Sequence, residues 1–319
     1  MIFLPWLKTT FSGLALGLLP HVDSEKDFNF GEVFGASGYQ PKHRVYEIPT
    51  LSIKNQSPLN TCVWNSATVQ KEVAEGTQLS VRYLVAKAKQ KGRLTGNGFA
   101  SLRDAQQTLI DTGICEEPLL PNTMMDWGSY SSLAPISMAA LGNAEQHKAS
   151  RFFIVKTKDE ILKAIDDGLV IQTGMMWRTG YRSPAAPFIL KIGSGSPITG
   201  HAFVLKGYDL NRNLWKFQNS FGPYWGDKGD FYVRMADWSG FPGYVSVDAD
   251  NSTLIASYEG KDVKSEDSPV IFRIKGGQKR PFLTEQSFFN AGGRFGTDKT
   301  WKLISKSLLN TIPVGQPMP

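Results

Sequence analysis

One thiol, one imidazole and two carboxamides occur in this chain in an order that could break an amide bond. Gln56 and Cys62 lie early, in Asn55-Gln56-Ser57-Pro58-Leu59-Asn60-Thr61-Cys62. His201 lies far downstream in Thr199-Gly200-His201-Ala202-Phe203, and Asn219 follows in Phe217-Gln218-Asn219-Ser220-Phe221-Gly222. A thiol attacks a carbonyl carbon as thiolate, and a helix N-terminus beside a histidine favours that anion. Cys62 opens a predicted helix. His201 would take the thiol proton and return it to the leaving amine. Asn219 would orient the imidazole, while the Gln56 amide and the Cys62 backbone N–H would hold the oxyanion. Taken singly, these are a buried filler cysteine, a satisfied core histidine and two ordinary amides. Their joint order and context point instead to nucleophilic acyl transfer.

The elements that must position these groups change character along the chain. Cys62 heads a stretch with Val63, Ala67, Gln70, Val73 and Ala74 on one face, closed by Gly76. Ser80 can cap a second helix carrying Val81, Leu84, Val85 and Ala88. Ser101 with Asp104, and Thr157 with Glu160, are capping boxes ahead of two more. After Gly168 the pattern turns to strands at Leu169–Met175, His201–Tyr208, Leu214–Gln218 and Phe231–Met235. A helical half followed by a strand-rich half predicts two lobes around a cleft, an α+β architecture. The nucleophile would come from one lobe, and the base with its orienting amide from the other. Past Gly243 the core pattern fades.

Residues 46–240 resemble the papain-like cysteine peptidases, most closely their prokaryotic and viral branch. The Gln56-to-Cys62 segment, the strand His201–Tyr208, and Asn219-Ser220-Phe221-Gly222-Pro223-Tyr224-Trp225-Gly226 carry the resemblance. So do Ser101-Leu102-Arg103-Asp104-Ala105 and Gly113-Ile114-Cys115-Glu116-Glu117, which make Cys115 structural. His201 follows Cys62 by about 140 residues, the separation of that family. The resemblance implies a helical lobe, a β-barrel-like lobe and a catalytic set of Cys62, His201, Asn219 and Gln56. Within Gly96-Asn97-Gly98-Phe99 it makes Gly98 a substrate-backbone binder. Departures are Asn60-Thr61 before the nucleophile, Val63 after it, and Phe221 where the family has Trp. Phe221 can still shield the Asn219–His201 bond by area. None of these removes a catalytic atom.

Four regions are expected: an arm over 1–45, a peptidase domain over 46–256, a polar linker over 257–268 and a small basic β-rich module over 269–319. Gly276-Gly277 reads as a hairpin turn within the module. The module resembles those appended to secreted bacterial and surface-associated proteins. Residues 261–319 carry ten Lys/Arg against five Asp/Glu, most of the chain's net +6, which suits an anionic envelope surface or an assembly partner. Lys279-Arg280 is too short a basic run for nucleic acid. The apolar segment Phe3–Leu19 partly resembles a secretory signal, but Lys8 and Gly13 leave it too short to span a bilayer. It reads as a cleaved signal or a retained docking arm.

Two cysteines exclude a disulfide scaffold. The four histidines, His21, His43, His147 and His201, are scattered without a metal-binding motif, so no cofactor is expected. The leading reading is a cysteine peptidase acting on peptides or proteins, extracellular or virion-associated. The alternative is a phage-particle component whose papain-like domain cuts host-surface peptides or is catalytically passive. A transglutaminase-like acyltransferase would carry Asp where Asn219 stands.

Overall fold

The computed structural model describes residues 16–20, 27–123, 126–247, 255–256, 258–265, 268–304, 309 and 312–319. The chain forms two compact units. The larger holds residues 1–22 and 36–247, the smaller 23–35 and 248–319.

In the larger unit, helix Cys62–Glu75 is buried along most of its length. It ends where Gly76 takes a left-handed φ of 70°, a conformation that suits glycine at a helix C-terminus. Helix Val81–Gln90 starts at Ser80, whose hydroxyl accepts from the Tyr83 N–H. Helices Leu102–Thr112 and Lys158–Asp166 start at the two expected capping boxes. The first three helices pack through Val63, Ala67, Leu84, Val85, Ala88, Ala105 and Leu109.

The sheet of this unit is antiparallel. Its order is Arg151–Val155, Gly243–Val247, Ile171–Arg178, Pro197–Asp209, Leu214–Gln218, Asp230–Arg234. Val45–Glu47 pairs with the far end of the long strand, Val45 opposite Asp209. Among the described residues the sheet does not close into a barrel. Strand Gly243–Val247 lies within the sheet and buries Tyr244 and Val245 completely. The expected fading of the core past Gly243 is therefore corrected: an alternation this short is masked by its Gly, Ser and Asp neighbours. A bulge after Leu205 accompanies a charged pairing at Lys206, whose Nζ is 2.8 Å from Glu47 and 2.9 Å from Asp230.

The smaller unit has a four-stranded sheet ordered Gln278–Pro281, Phe272–Lys275, Asp262–Lys264, Trp301–Leu303. Gly276 and Gly277, with φ of 62° and 69°, make the expected two-residue hairpin turn. Ile271, Phe282 and Phe288 form its core. Asp262–Lys264 falls in the stretch read as a linker. It joins the sheet because Val263 is apolar and fully buried, and because Asp262 takes both arms of Arg273 at 2.7 and 2.8 Å. Residues 1–15 and 21–26 of the expected arm lie outside the described residues.

Candidate active site

Cys62 is the first residue of its helix and is completely buried. Thr61 before it makes no side-chain cap. Asn65 instead turns back to bond the Thr61 carbonyl and hydroxyl, at 2.8 and 3.0 Å. The first-turn N–H groups are thus left to face the sulfur. The N–H groups of Ala202, Gly17, Val63 and Cys62 all act on it, in that order of strength. Burial outweighs them and pushes the thiol up to about 11.

The long strand presents His201, also fully buried. Its Nε2 lies 2.7 Å from Asn219 Oδ1. A carboxamide oxygen only accepts, so Nε2 carries the hydrogen and Nδ1 keeps the lone pair. Nδ1 is buried and has no hydrogen-bond partner among the described residues. Desolvation lowers the imidazole to about 4, against the upward pull of Asn219. Asn219 Oδ1 also accepts from the Ser220 N–H at 2.8 Å, which holds the carboxamide still. Phe221 stacks on the imidazole at 4.7 Å and 15°, and Trp177 meets it edge-on at 4.7 Å. These two rings exclude water from the Asn219–His201 bond. Phe221 was expected there. Trp177 was missed, because it ends an apolar strand and carries no motif of its own.

Gln56 is buried and joined to the Asn219 segment. Its N–H donates to the Ser220 carbonyl at 2.9 Å, and the Ser220 hydroxyl donates to Gln56 Oε1. Its Nε2 donates to Leu59 O at 3.1 Å. The preceding Lys54 is anchored to Glu72 of the Cys62 helix at 2.6 Å, a buried pair. Gln56 is therefore held against both the helix that carries the thiol and the segment that carries Asn219. Cys115 sits apart in an apolar cluster with Tyr83, Leu120, Ala140 and Ala144, and both cysteines are free.

Residues Leu16–Leu19 run across this site. The Gly17 N–H donates to Cys62 Sγ at 3.2 Å, and the Leu16 N–H to Asn60 Oδ1 at 3.1 Å. The Leu18 N–H donates to the Gly200 carbonyl at 3.1 Å. Ala100 donates to Gly17 O at 3.0 Å and accepts from the Leu19 N–H at 2.8 Å. The segment thus lies parallel to Ala100 and antiparallel to Gly200. A Cβ at position 17 would stand 2.2 Å from Asn60 O, so glycine is required for this approach. Leu18 is buried against Gly174, where a Cβ would meet its Cδ2 at 2.3 Å. Gly98, the expected backbone binder, packs against Asn60 and Trp127 and accepts from Trp64 Nε1 at 3.0 Å. Ala100, two residues on, makes the cleft-facing backbone bonds. Sequence held no signal for it, since any residue type supplies a backbone N–H and C=O.

No known protein-family model matches the chain, and no curated protein matches it. Solved structures do. Xylellain, a cysteine protease from Xylella fastidiosa, matches with a TM-score of 0.61 at 17% identity, over 74% of this chain and 97% of that one. Digestive procathepsin L 3 of Tenebrio molitor matches at 0.53 and 15% identity, over 70% and 77%. Bromelain protease from Ananas comosus in complex with the E64 inhibitor matches at 0.51 and 17%, over 65% and 100%. The fold is papain-like, of the α+β class.

Proposed function

We propose that this chain is a cysteine peptidase that cuts peptide bonds through a Cys62 acyl-enzyme. The observation that carries the reading is the buried His201–Asn219 pair, whose adjoining Ala202 N–H lies on the sulfur of a thiol at a helix N-terminus. Cys62 Sγ bonds to the scissile carbonyl carbon while His201 Nδ1 takes the thiol proton. The C–N bond then breaks, and the leaving nitrogen receives that proton from Nδ1. Water, deprotonated by Nδ1, releases the acid and restores the thiol. The Cys62 N–H and Gln56 Nε2 serve as oxyanion donors, after a small shift of Gln56 away from Leu59 O. Asn219 accepts from Nε2–H and so leaves Nδ1 as the basic nitrogen.

With Leu16–Leu19 in place the sulfur is covered, the thiol sits high and the imidazole low, so both are neutral near pH 7. The chain in this state is latent. Activity belongs to a form from which the segment has withdrawn. A full-length Gly17→Val variant cannot seat the segment, and it serves as that open form.

Labelling by a thiol-directed peptide epoxide, followed by peptide mapping, tests the reading. The open form should be labelled at Cys62 and should hydrolyse a peptide substrate. If a folded Gly17→Val chain is labelled at Cys115 in preference, or cuts no peptide, the peptidase assignment falls.

The smaller unit suits attachment. The basic balance of its stretch 261–319, ten Lys/Arg against five Asp/Glu, is joined by exposed Leu283, Phe289, Phe295 and Val314, a combination that fits an anionic envelope or an assembly partner. An extracellular or virion-associated peptidase follows, with a phage-particle component as the second form of that reading. Among the described residues no helix is long and apolar enough to cross a membrane.

A further inference from the structure

A closed cluster of neutral amides lies beneath the thiol. Gln70, Gln106 and Gln172 are buried together with Ser246. Gln172 Nε2 donates to Val63 O at 2.8 Å and to Ser66 Oγ at 3.0 Å. Gln106 Nε2 donates to Gln172 Oε1 at 2.7 Å and to Gln70 Oε1 at 2.8 Å. Gln70 Nε2 donates to the carbonyls of Val170 at 2.7 Å and Tyr244 at 2.6 Å. Ser246 Oγ lies 2.9 Å from Gln70 Oε1 and within bonding distance of Gln106 Oε1. Every amide hydrogen of the three side chains is used, and every amide oxygen accepts. No amide can turn over without setting oxygen against oxygen, so the cluster has one arrangement.

Its location matters more than its completeness. Gln172 belongs to strand Ile171–Arg178, which pairs directly with the His201 strand; Gln172 faces Val204 and Met175 faces His201. Its two acceptors, Val63 and Ser66, are in the first turns of the Cys62 helix. Gln172 therefore ties the residue after the thiol to the sheet that carries the base. Burying three amides costs desolvation that apolar side chains of like size would avoid. What they add is a fixed register between helix and sheet.

We propose that Gln172, locked by Gln106, is a positioning residue that sets Cys62 against His201 and Ala202. The proposal rests on the peptidase reading. A helix start displaced by a fraction of an ångström would withdraw the sulfur from the Ala202 N–H and the imidazole, raising the thiolate pKa and slowing attack.

The test uses the full-length Gly17→Val chain and the pH dependence of Cys62 alkylation by iodoacetamide, with thermal melting alongside. Gln172→Met and Gln172→Asn both withdraw the amide from Val63 O. Ser246→Ala damages the same cluster on the side away from the thiol. Both Gln172 variants should lose about tenfold or more in labelling rate near pH 6–7, with the profile moved to higher pH. Ser246→Ala should keep the parent profile within about twofold even where it melts lower. A folded Gln172 variant with the parent profile would overturn the proposal. So would an equal loss in Ser246→Ala, or failure of both Gln172 variants to fold, which would make the cluster a folding element. If Cys62 of the Gly17→Val chain itself labels no faster than Cys115, the peptidase reading fails instead.

Discussion

The backbone N–H of Gly17 points at the sulfur of Cys62 across 3.2 Å, with both atoms buried. The contact exists because position 17 has no side chain: a Cβ would lie 2.2 Å from the Asn60 carbonyl. The segment brings its own apolar anchor in Leu18 and three further backbone bonds, to Gly200 and Ala100. Replacing Gly17 by Val should expel it. Iodoacetamide labelling of Cys62 at pH 7 should rise by at least about tenfold over the parent chain, because thiolate and access are gained together. An unchanged rate in a folded variant, whose segment cannot seat, would count against Cys62 as the reactive thiol.

The closed form has a pH signature of its own. His201 is held near 4, below its ordinary 6.5, and Cys62 near 11, above its ordinary 9.0. Below pH 6.5 the unfolded chain gains a proton on His201 that the folded chain refuses, so stability falls as pH drops from 6.5 toward 4. Above pH 9 the unfolded chain loses the Cys62 proton that the folded chain keeps, so stability falls again from 9 toward 11. The contribution of this pair is fully present between those limits. Melting curves of the parent and of His201→Gln should diverge on the acid side, with the variant showing the shallower decline. Parallel acid limbs would contradict the buried neutral imidazole.

Gln56→Ala should reduce turnover of the open form by about 10²–10³, the usual loss for one oxyanion donor. Taken singly, Gln56 read from sequence as an ordinary amide. The structure alters that reading, because Gln56 is buried and its Oε1 accepts from the Ser220 hydroxyl. Stranding that hydroxyl should cost about 1–3 kcal/mol. Urea unfolding alongside kinetics would separate the two effects, and full activity would remove Gln56 from the site.

Asn219→Ala should damage turnover less than His201→Ala, since Asn219 orients the proton carrier without being it. Phe221→Ala should approach the Asn219 variant, because the stacked ring keeps water from the 2.7 Å His201–Asn219 bond. Peptide hydrolysis by the three variants in the Gly17→Val background would rank them. An Asn219 change worse than loss of His201 would require another base.

A chain ending near residue 257 removes the small sheet and its hairpin, and should leave peptide hydrolysis by the open form near the parent rate. Binding to anionic vesicles or envelopes should disappear with it. In the full-length chain that binding should weaken with salt, since exposed charges are screened over about 8 Å at physiological ionic strength. Vesicle co-sedimentation at two salt concentrations reads this directly. Binding that survives removal of the tail would place the contact elsewhere.

Local rules made much of the chain legible. Capping boxes at Ser101 and Thr157, the stop at Gly76 and the turn at Gly276-Gly277 depend on neighbours a few residues away, and each occurs where the residues put it. So does the α+β order of helices before strands. Cys62, His201, Asn219 and Gln56 could be named from residue type and order, because the chemistry they would perform demands those side chains. Non-local packing decided the rest. Ala100 and Gly17 act through backbone atoms, which residue identity does not mark. Trp177 reaches His201 only through strand pairing, and Gln172 reaches Val63 only once helix and sheet have met. The ionisation of the thiol was read from a helix dipole and a neighbouring histidine, yet burial pushes the thiol up and the imidazole down. Desolvation depends on what covers a group, and what covers Cys62 is set by a segment 45 residues away in sequence.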